Sequence, residues 1–144
     1  MIGLLHDFDY EIHPTLDKHP IEGSPILREC GVPEDIIETI LSHADYLLDR
    51  YPRKTLRDRV LAAVDELSGL CTAVALVRPS RSILEVTVAS VKKKWKDKAF
   101  ARGINRQDIE VYTHDLGVPL DEHIQRVLEA LQRNADTLDL RGSL

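Results

Sequence analysis

Cysteine is scarce in these 144 residues: only Cys30 and Cys71 occur, far apart and in no CxxC pair. That argues against a disulfide-stapled secreted scaffold and for a cytoplasmic chain with reduced thiols. No apolar run approaches the roughly 18 residues that a membrane span needs, and no basic leader precedes an apolar stretch. Membrane partners are therefore not expected. Positive charge is also in deficit. With 19 Lys and Arg against 24 Asp and Glu the formal net charge is -5, which gives no general support for nucleic-acid binding. Internal repeats, low-complexity tracts and the alternating runs that a sheet requires are all missing.

What remains is 43% hydrophobic and 30% charged, the balance of a folded globular chain long enough for one domain. Residues 1–5 read as the last turn of a helix, and Phe8 to Pro20, with no clear period, as a loop. Ser24-Pro25 predicts a helix start with serine as cap, and Gly31 its stop. From Pro33, the residues Ile36, Ile37, Ile40, Leu41, Ala44, Leu47 and Leu48 keep a helical period that predicts one helix ending at Tyr51-Pro52. The longest helix is expected from about Thr55 to Val77, with Leu56, Val60, Leu61, Val64, Leu67, Cys71 and Val74 as its buried stripe. After a break at Arg78-Pro79-Ser80, Ser82 and Glu85 have capping-box spacing. Ser90 is then read as the cap of a helix that carries Val91, Trp95, Ala99 and Phe100 to Gly103. Asn105 opens a short helix ending near Gly117, and Pro119 leads into a last one with Ile124, Val127, Leu128 and Leu131 inside. The expectation is an all-α bundle with a loose tail over 139–144.

The chemistry concentrates in histidine and aspartate. His6-Asp7 puts an imidazole beside a carboxylate, and His19, His43 and Asp65 follow. Such groups can together hold a divalent cation. Asp65 falls four residues after Leu61 on the edge of an apolar stripe, where a carboxylate needs a partner or an ion to offset its desolvation. The other reading is a solvated Asp65, or one paired with Arg57 or Arg59. His43 borders its own stripe and is equally a core histidine held by one hydrogen bond. His19, before Pro20, is either a ligand supplied by a loop or a surface group. His13, His114 and His123 are read as non-ligands, the last two on polar faces.

These residues, in the stretches Gly3-Leu4-Leu5-His6-Asp7-Phe8-Asp9-Tyr10, His19-Pro20-Ile21-Glu22-Gly23 and Ile40-Leu41-Ser42-His43-Ala44-Asp45, resemble the HD superfamily of metal-dependent phosphohydrolases. The likeness is to its HDIG-type branch. It continues through Val64-Asp65-Glu66-Leu67-Ser68-Gly69-Leu70, Ala75 to Ser80, Val91 to Lys94 and Lys98 to Gly103, nearly the whole chain. The resemblance implies an HD-like helical bundle over 1–138. His6, Asp7 and Asp65 would hold one ion and carry catalysis, His19 and His43 would complete a second site, and Asp7 would bridge. The ion would be Mn, Fe, Co, Ni, Zn or Mg, and the substrate a nucleotide or other small phosphate ester. The family pattern opens with a histidine on an earlier helix that nothing in this sequence matches, so the resemblance implies a domain truncated at its N-terminus.

A basic segment supplies candidates for substrate phosphate: Lys94 and Lys98 share a helical face, and Arg78 and Arg81 flank the break before it. The plainer reading is a solvated face whose lysines run past Trp95 and Phe100. Two further functional classes stand beside the hydrolase: a catalytically impaired module that still binds metal or ligand, and a homo-oligomer in which another copy covers Ile2, Leu4 and Leu5.

Overall fold

A computed structural model describes residues 1–142. Among the described residues there are seven α-helices, two 3₁₀ turns and no strand, so the protein is all-α. In chain order the helices are α1 (Ile2–Leu5), α2 (Ser24–Glu29), α3 (Glu34–Leu41), α4 (Leu56–Leu76), α5 (Val88–Trp95), α6 (Arg106–Asp115) and α7 (Leu120–Arg133). The chain divides into two compact units, Met1–Ala62 and Ala63–Leu144, with the boundary inside α4. No described helix is long and apolar enough to cross a membrane.

In the first unit, α1 and α2 pack on α3. Its core is Leu27, Ile37, Ile40, Leu41 and Leu47, with Ile2, Leu5, Phe8 and Ile21 half-buried against it. Gly23, not Ser24, caps α2, because the Ser24 hydroxyl donates instead to the Ile21 carbonyl at 2.9 Å. Gly31 ends that segment with φ +74°, a conformation that costs a glycine little. The helix expected to reach Tyr51 stops at Leu41. Two side chains compete for the carbonyls of its last turn: the Ser42 hydroxyl donates to Thr39 O (2.8 Å), and His43 Nδ1–H donates to Ile40 O. Arg53 then takes the carbonyls of Ser42 (2.9 Å) and His43 (2.8 Å), and a 3₁₀ turn, Asp45–Leu47, follows.

The start of α4 is fixed by a reciprocal box. Thr55 Oγ1 accepts from the Asp58 amide (3.2 Å), and Asp58 Oδ2 accepts from the amides of Thr55 (2.8 Å) and Lys54 (3.1 Å). The other Asp58 oxygen accepts from the Thr39 hydroxyl at 2.7 Å, which ties α4 to α3 within this unit. The expected apolar stripe is narrower at this end, since Leu56 and Val60 are exposed while Leu61 is buried.

The second unit buries Leu67, Leu70, Cys71, Val74, Ile83, Val91, Ile109, Ile124 and Leu128 in one core. Ser82 accepts from the Leu84 amide at the start of the second 3₁₀ turn, Ile83–Glu85. The helix after it begins with a capping box on Thr87, with Ser90 at its third position rather than as its cap. It ends at Trp95, eight residues short of Gly103. Asp97 captures the amide of Ala99 (3.0 Å), and Arg106 takes the carbonyls of Asp97 (3.2 Å) and Phe100, so residues 97–104 close as turns. Asn105 caps α6, and Gly117 ends the following turn at φ +69°. Leu140 is buried in the second core, and its carbonyl accepts from the Ile83 amide at 2.8 Å. Of the expected loose tail, residues 143–144 lie outside the described residues.

Candidate metal centre

Three histidines of the first unit reach one carboxylate. His6 is the C-cap of α1, and its Nδ1–H donates to the Gly3 carbonyl at 3.0 Å. That leaves Nε2 facing Asp7 Oδ2 at 3.2 Å. His19 is buried in the loop before α2, where Nδ1–H donates to Asp9 Oδ1 at 2.7 Å. Its Nε2 lies 3.0 Å from Asp7 Oδ1. His43 stands where α3 breaks off, with Nδ1–H on the Ile40 carbonyl and Nε2 at 3.8 Å from the same Asp7 oxygen. The Nε2 atoms of His19 and His43 are 3.2 Å apart.

With each Nδ1 acting as donor, a neutral ring presents only a lone pair at Nε2. Three lone pairs then converge on the oxygens of an acceptor-only carboxylate, an arrangement that repels itself unless protons or a cation lie among them. With protons there, the Asp7 carboxyl is held below its ordinary range, chiefly by the hydrogen bond from His6. Burial opposes that shift, and the charges of His6, His43 and His19 reinforce it. A metal ion answers the same demand. Bonds of about 2.1 Å at angles of roughly 90–110° put donor atoms about 3.0–3.4 Å apart. Of the edges among Asp7 Oδ1, His19 Nε2 and His43 Nε2, those of 3.0 and 3.2 Å fall in that range and the third, 3.8 Å, is wider. These three residues meet the spacing required to hold one ion. The other Asp7 oxygen is turned to His6, so one carboxylate offers a different atom to each side. The Asp7 side chain is 54% exposed, which opens the group to solvent.

No family model, curated protein or solved structure matches this chain.

Of the residues singled out from sequence, His6, Asp7, His19 and His43 stand together in the first unit. Asp65 is half-buried on α4 and belongs to the second unit. Arg78, Arg81, Lys94 and Lys98 also belong to the second unit. There Arg78 Nε is 3.3 Å from Glu85 Oε2, Lys94 Nζ lies 4.8 Å over the Phe100 ring, and Arg81 and Lys98 are exposed. His114 is exposed, as its polar face implied. His123 is not: it is buried on α7 and donates from Nε2 to the Ala63 carbonyl at 3.0 Å. It lies beside Ile124, at the edge of a face the sequence marks as polar, and one backbone acceptor suffices to bury it.

Two participants were not singled out from the sequence, although Asp9 lies within one of the resembling stretches. Asp9 has no exposed surface and supports His19 from behind. Arg53 holds the backbone of His43 from eleven and ten residues away. Either is visible only once the loops are folded.

Proposed function

We propose that this protein is a metal-dependent phosphohydrolase acting on a nucleotide or another small phosphate ester. The observation that supports this reading is the convergence of three anchored imidazoles on the two oxygens of Asp7. The sequence resemblance supplies the reaction class. Asp7, His19 and His43 form one ligand set. His6, on the other Asp7 oxygen, starts a second, for which the resemblance nominates Asp65.

Mixed nitrogen and oxygen donors suit Mn²⁺, Fe, Co²⁺, Ni²⁺ or Zn²⁺ better than Ca²⁺. Such an ion, when bound, lowers the pKa of water and offsets charge that grows on phosphoryl oxygens. The protein's own part is orientation. Each imidazole is fixed by an acceptor at Nδ1, so its Nε2 needs no rearrangement to bind. The half-exposed carboxylate leaves a side for an ester to approach. Among the four basic candidates, Glu85 engages Arg78 and Lys94 lies over Phe100, while Arg81 and Lys98 are exposed.

The test is to strip the protein with chelator, reload it with Mn²⁺, Co²⁺, Ni²⁺ or Zn²⁺, and assay a generic phosphomonoester and a nucleotide. Hydrolysis should return with at least one ion. Bound ion without hydrolysis of either would favour a metal-binding module over an enzyme. Asp65→Ala, set against His114→Ala, tests the wider ligand set. The first should weaken metal binding and the second should leave it unchanged; equal affinities would remove Asp65.

A further inference from the structure

We infer that Asp9 is the positioning residue of this centre, and that Gly23 is the seat that lets it act. This rests on the metal reading above and adds to it a residue that touches no ion.

The Asp9 carboxylate is wholly buried, and its Oδ1 accepts from His19 Nδ1 at 2.7 Å. A carboxylate behind a histidine settles which ring nitrogen carries the proton and which way the ring faces. Here it leaves Nε2 as the bare nitrogen, aimed at Asp7 Oδ1 and at His43 Nε2. The second Asp9 oxygen is buried without a hydrogen-bond partner. A carboxylate kept in such a place for packing alone would be unfavourable, because burying it costs free energy that one neutral contact does not offset. Its position is also built for. A Cβ at residue 23 would collide with the Cβ, Cγ and Oδ2 of Asp9, so only glycine admits the carboxylate there. Asp9, His19 and Gly23 come from a loop and the start of α2, and their one shared consequence is the orientation of the His19 ring.

The decisive readout needs no metal. In the metal-free wild type, at a pH where the rings are neutral, long-range proton–nitrogen correlation spectra report which nitrogen of His19 is protonated. Its signals are identified by their loss in His19→Gln. The proton is expected on Nδ1, with the half-exposed Asp7 carboxylate turning toward solvent when no ion or proton holds it against Nε2. A proton on Nε2 would overturn the inference, since Asp9 would then be the donor and Asp7 the acceptor. Asp9→Ala should lose the preference and weaken Mn²⁺ binding by roughly 10–100-fold. Asp9→Asn, matched in shape and still able to accept from Nδ1–H, should keep the tautomer and recover most of the affinity. That rescue would not follow from damage to packing, and it decides the matter if Asp9→Ala fails to fold. Wild-type tautomer and affinity in a folded Asp9→Ala would also overturn it. If the wild type takes up no Mn²⁺, the metal reading fails while the tautomer result still judges Asp9.

Discussion

Arg53→Ala should loosen the break that brings His43 into the centre, with effects on both stability and metal affinity. The Arg53 side chain is only 12% exposed, and its guanidinium donates to the carbonyls of Ser42 (2.9 Å) and His43 (2.8 Å) and to Asp45 Oδ1 (2.6 Å). Hydrogen bonds from a charged donor contribute about 1.5–3 kcal/mol each. The low end suits these carbonyls, because residue 43 keeps some exposure and water can replace part of what is lost. The Asp45 carboxylate is 56% exposed, so that pair adds less than about 1 kcal/mol. The sum for Arg53→Ala is about 3 kcal/mol, read by urea unfolding. Arg53→Lys keeps the charge without the fork and should lose roughly half of that.

The same substitution frees the His43 backbone, whose ring is otherwise tethered through Ile40. Mn²⁺ affinity, measured by titration calorimetry under conditions where the variant is folded, should fall at least several-fold. Unchanged stability within about 0.5 kcal/mol would refute the clamp. Lost stability with unchanged affinity would show that the clamp holds the fold alone, and that the end of α3 does not place His43.

Asp58→Asn should destabilise the first unit by about 2 kcal/mol, since three donors converge on that buried carboxylate. Burial raises the Asp58 carboxyl pKa, but the hydrogen bonds from Thr39, Thr55 and Lys54 outweigh it and leave the group below its ordinary range. Its contribution is therefore fully present above the unfolded-state value near 3.8 and is lost as pH falls through the lower folded value. Wild type should lose this increment on acidification and Asp58→Asn should not; parallel acid profiles would contradict it. The two thiols should differ sharply. Burial pushes Cys71 up to about 12, whereas Cys30 is exposed. A disulfide reagent at mildly alkaline pH should count one thiol in the native protein and two in denaturant; two fast native thiols would refute the burial.

The helices were legible because apolar residues recur every three or four positions, and because glycine and asparagine stand where chains turn. Gly31, Asn105 and Gly117 do what their chemistry implies. The ends of α3 and α5 were not legible. Ser42, His43 and Arg53 at one, and Asp97 and Arg106 at the other, capture backbone groups that helical continuation would need, and the contacts of Arg53 and Arg106 reach carbonyls too far along the chain for local spacing to foreshadow. Leu56 and Val60 fit the helical period and are nevertheless exposed, since a period tells which residues share a face and not whether anything covers it. In the candidate centre, spacing alone left His19 and His43 open between ligand and ordinary histidine. What the fold adds is the approach of both Nε2 atoms to one Asp7 oxygen, which no spacing reveals. His123 shows the converse, a buried histidine whose partner is a backbone carbonyl and which joins none of the groups able to hold an ion among the described residues.

Calorimetric titration of metal-free protein with Mn²⁺ and Co²⁺, in wild type and Asp7→Asn, most directly tests whether these imidazoles and this carboxylate hold an ion. The wild type should bind, with a Co²⁺ absorption spectrum bearing the mark of imidazole nitrogen, and Asp7→Asn should lose most of the affinity while staying folded. A wild type that binds neither ion, or an Asp7→Asn protein that binds both as tightly, would mean that protons alone fill the gap among His6, His19, His43 and Asp7.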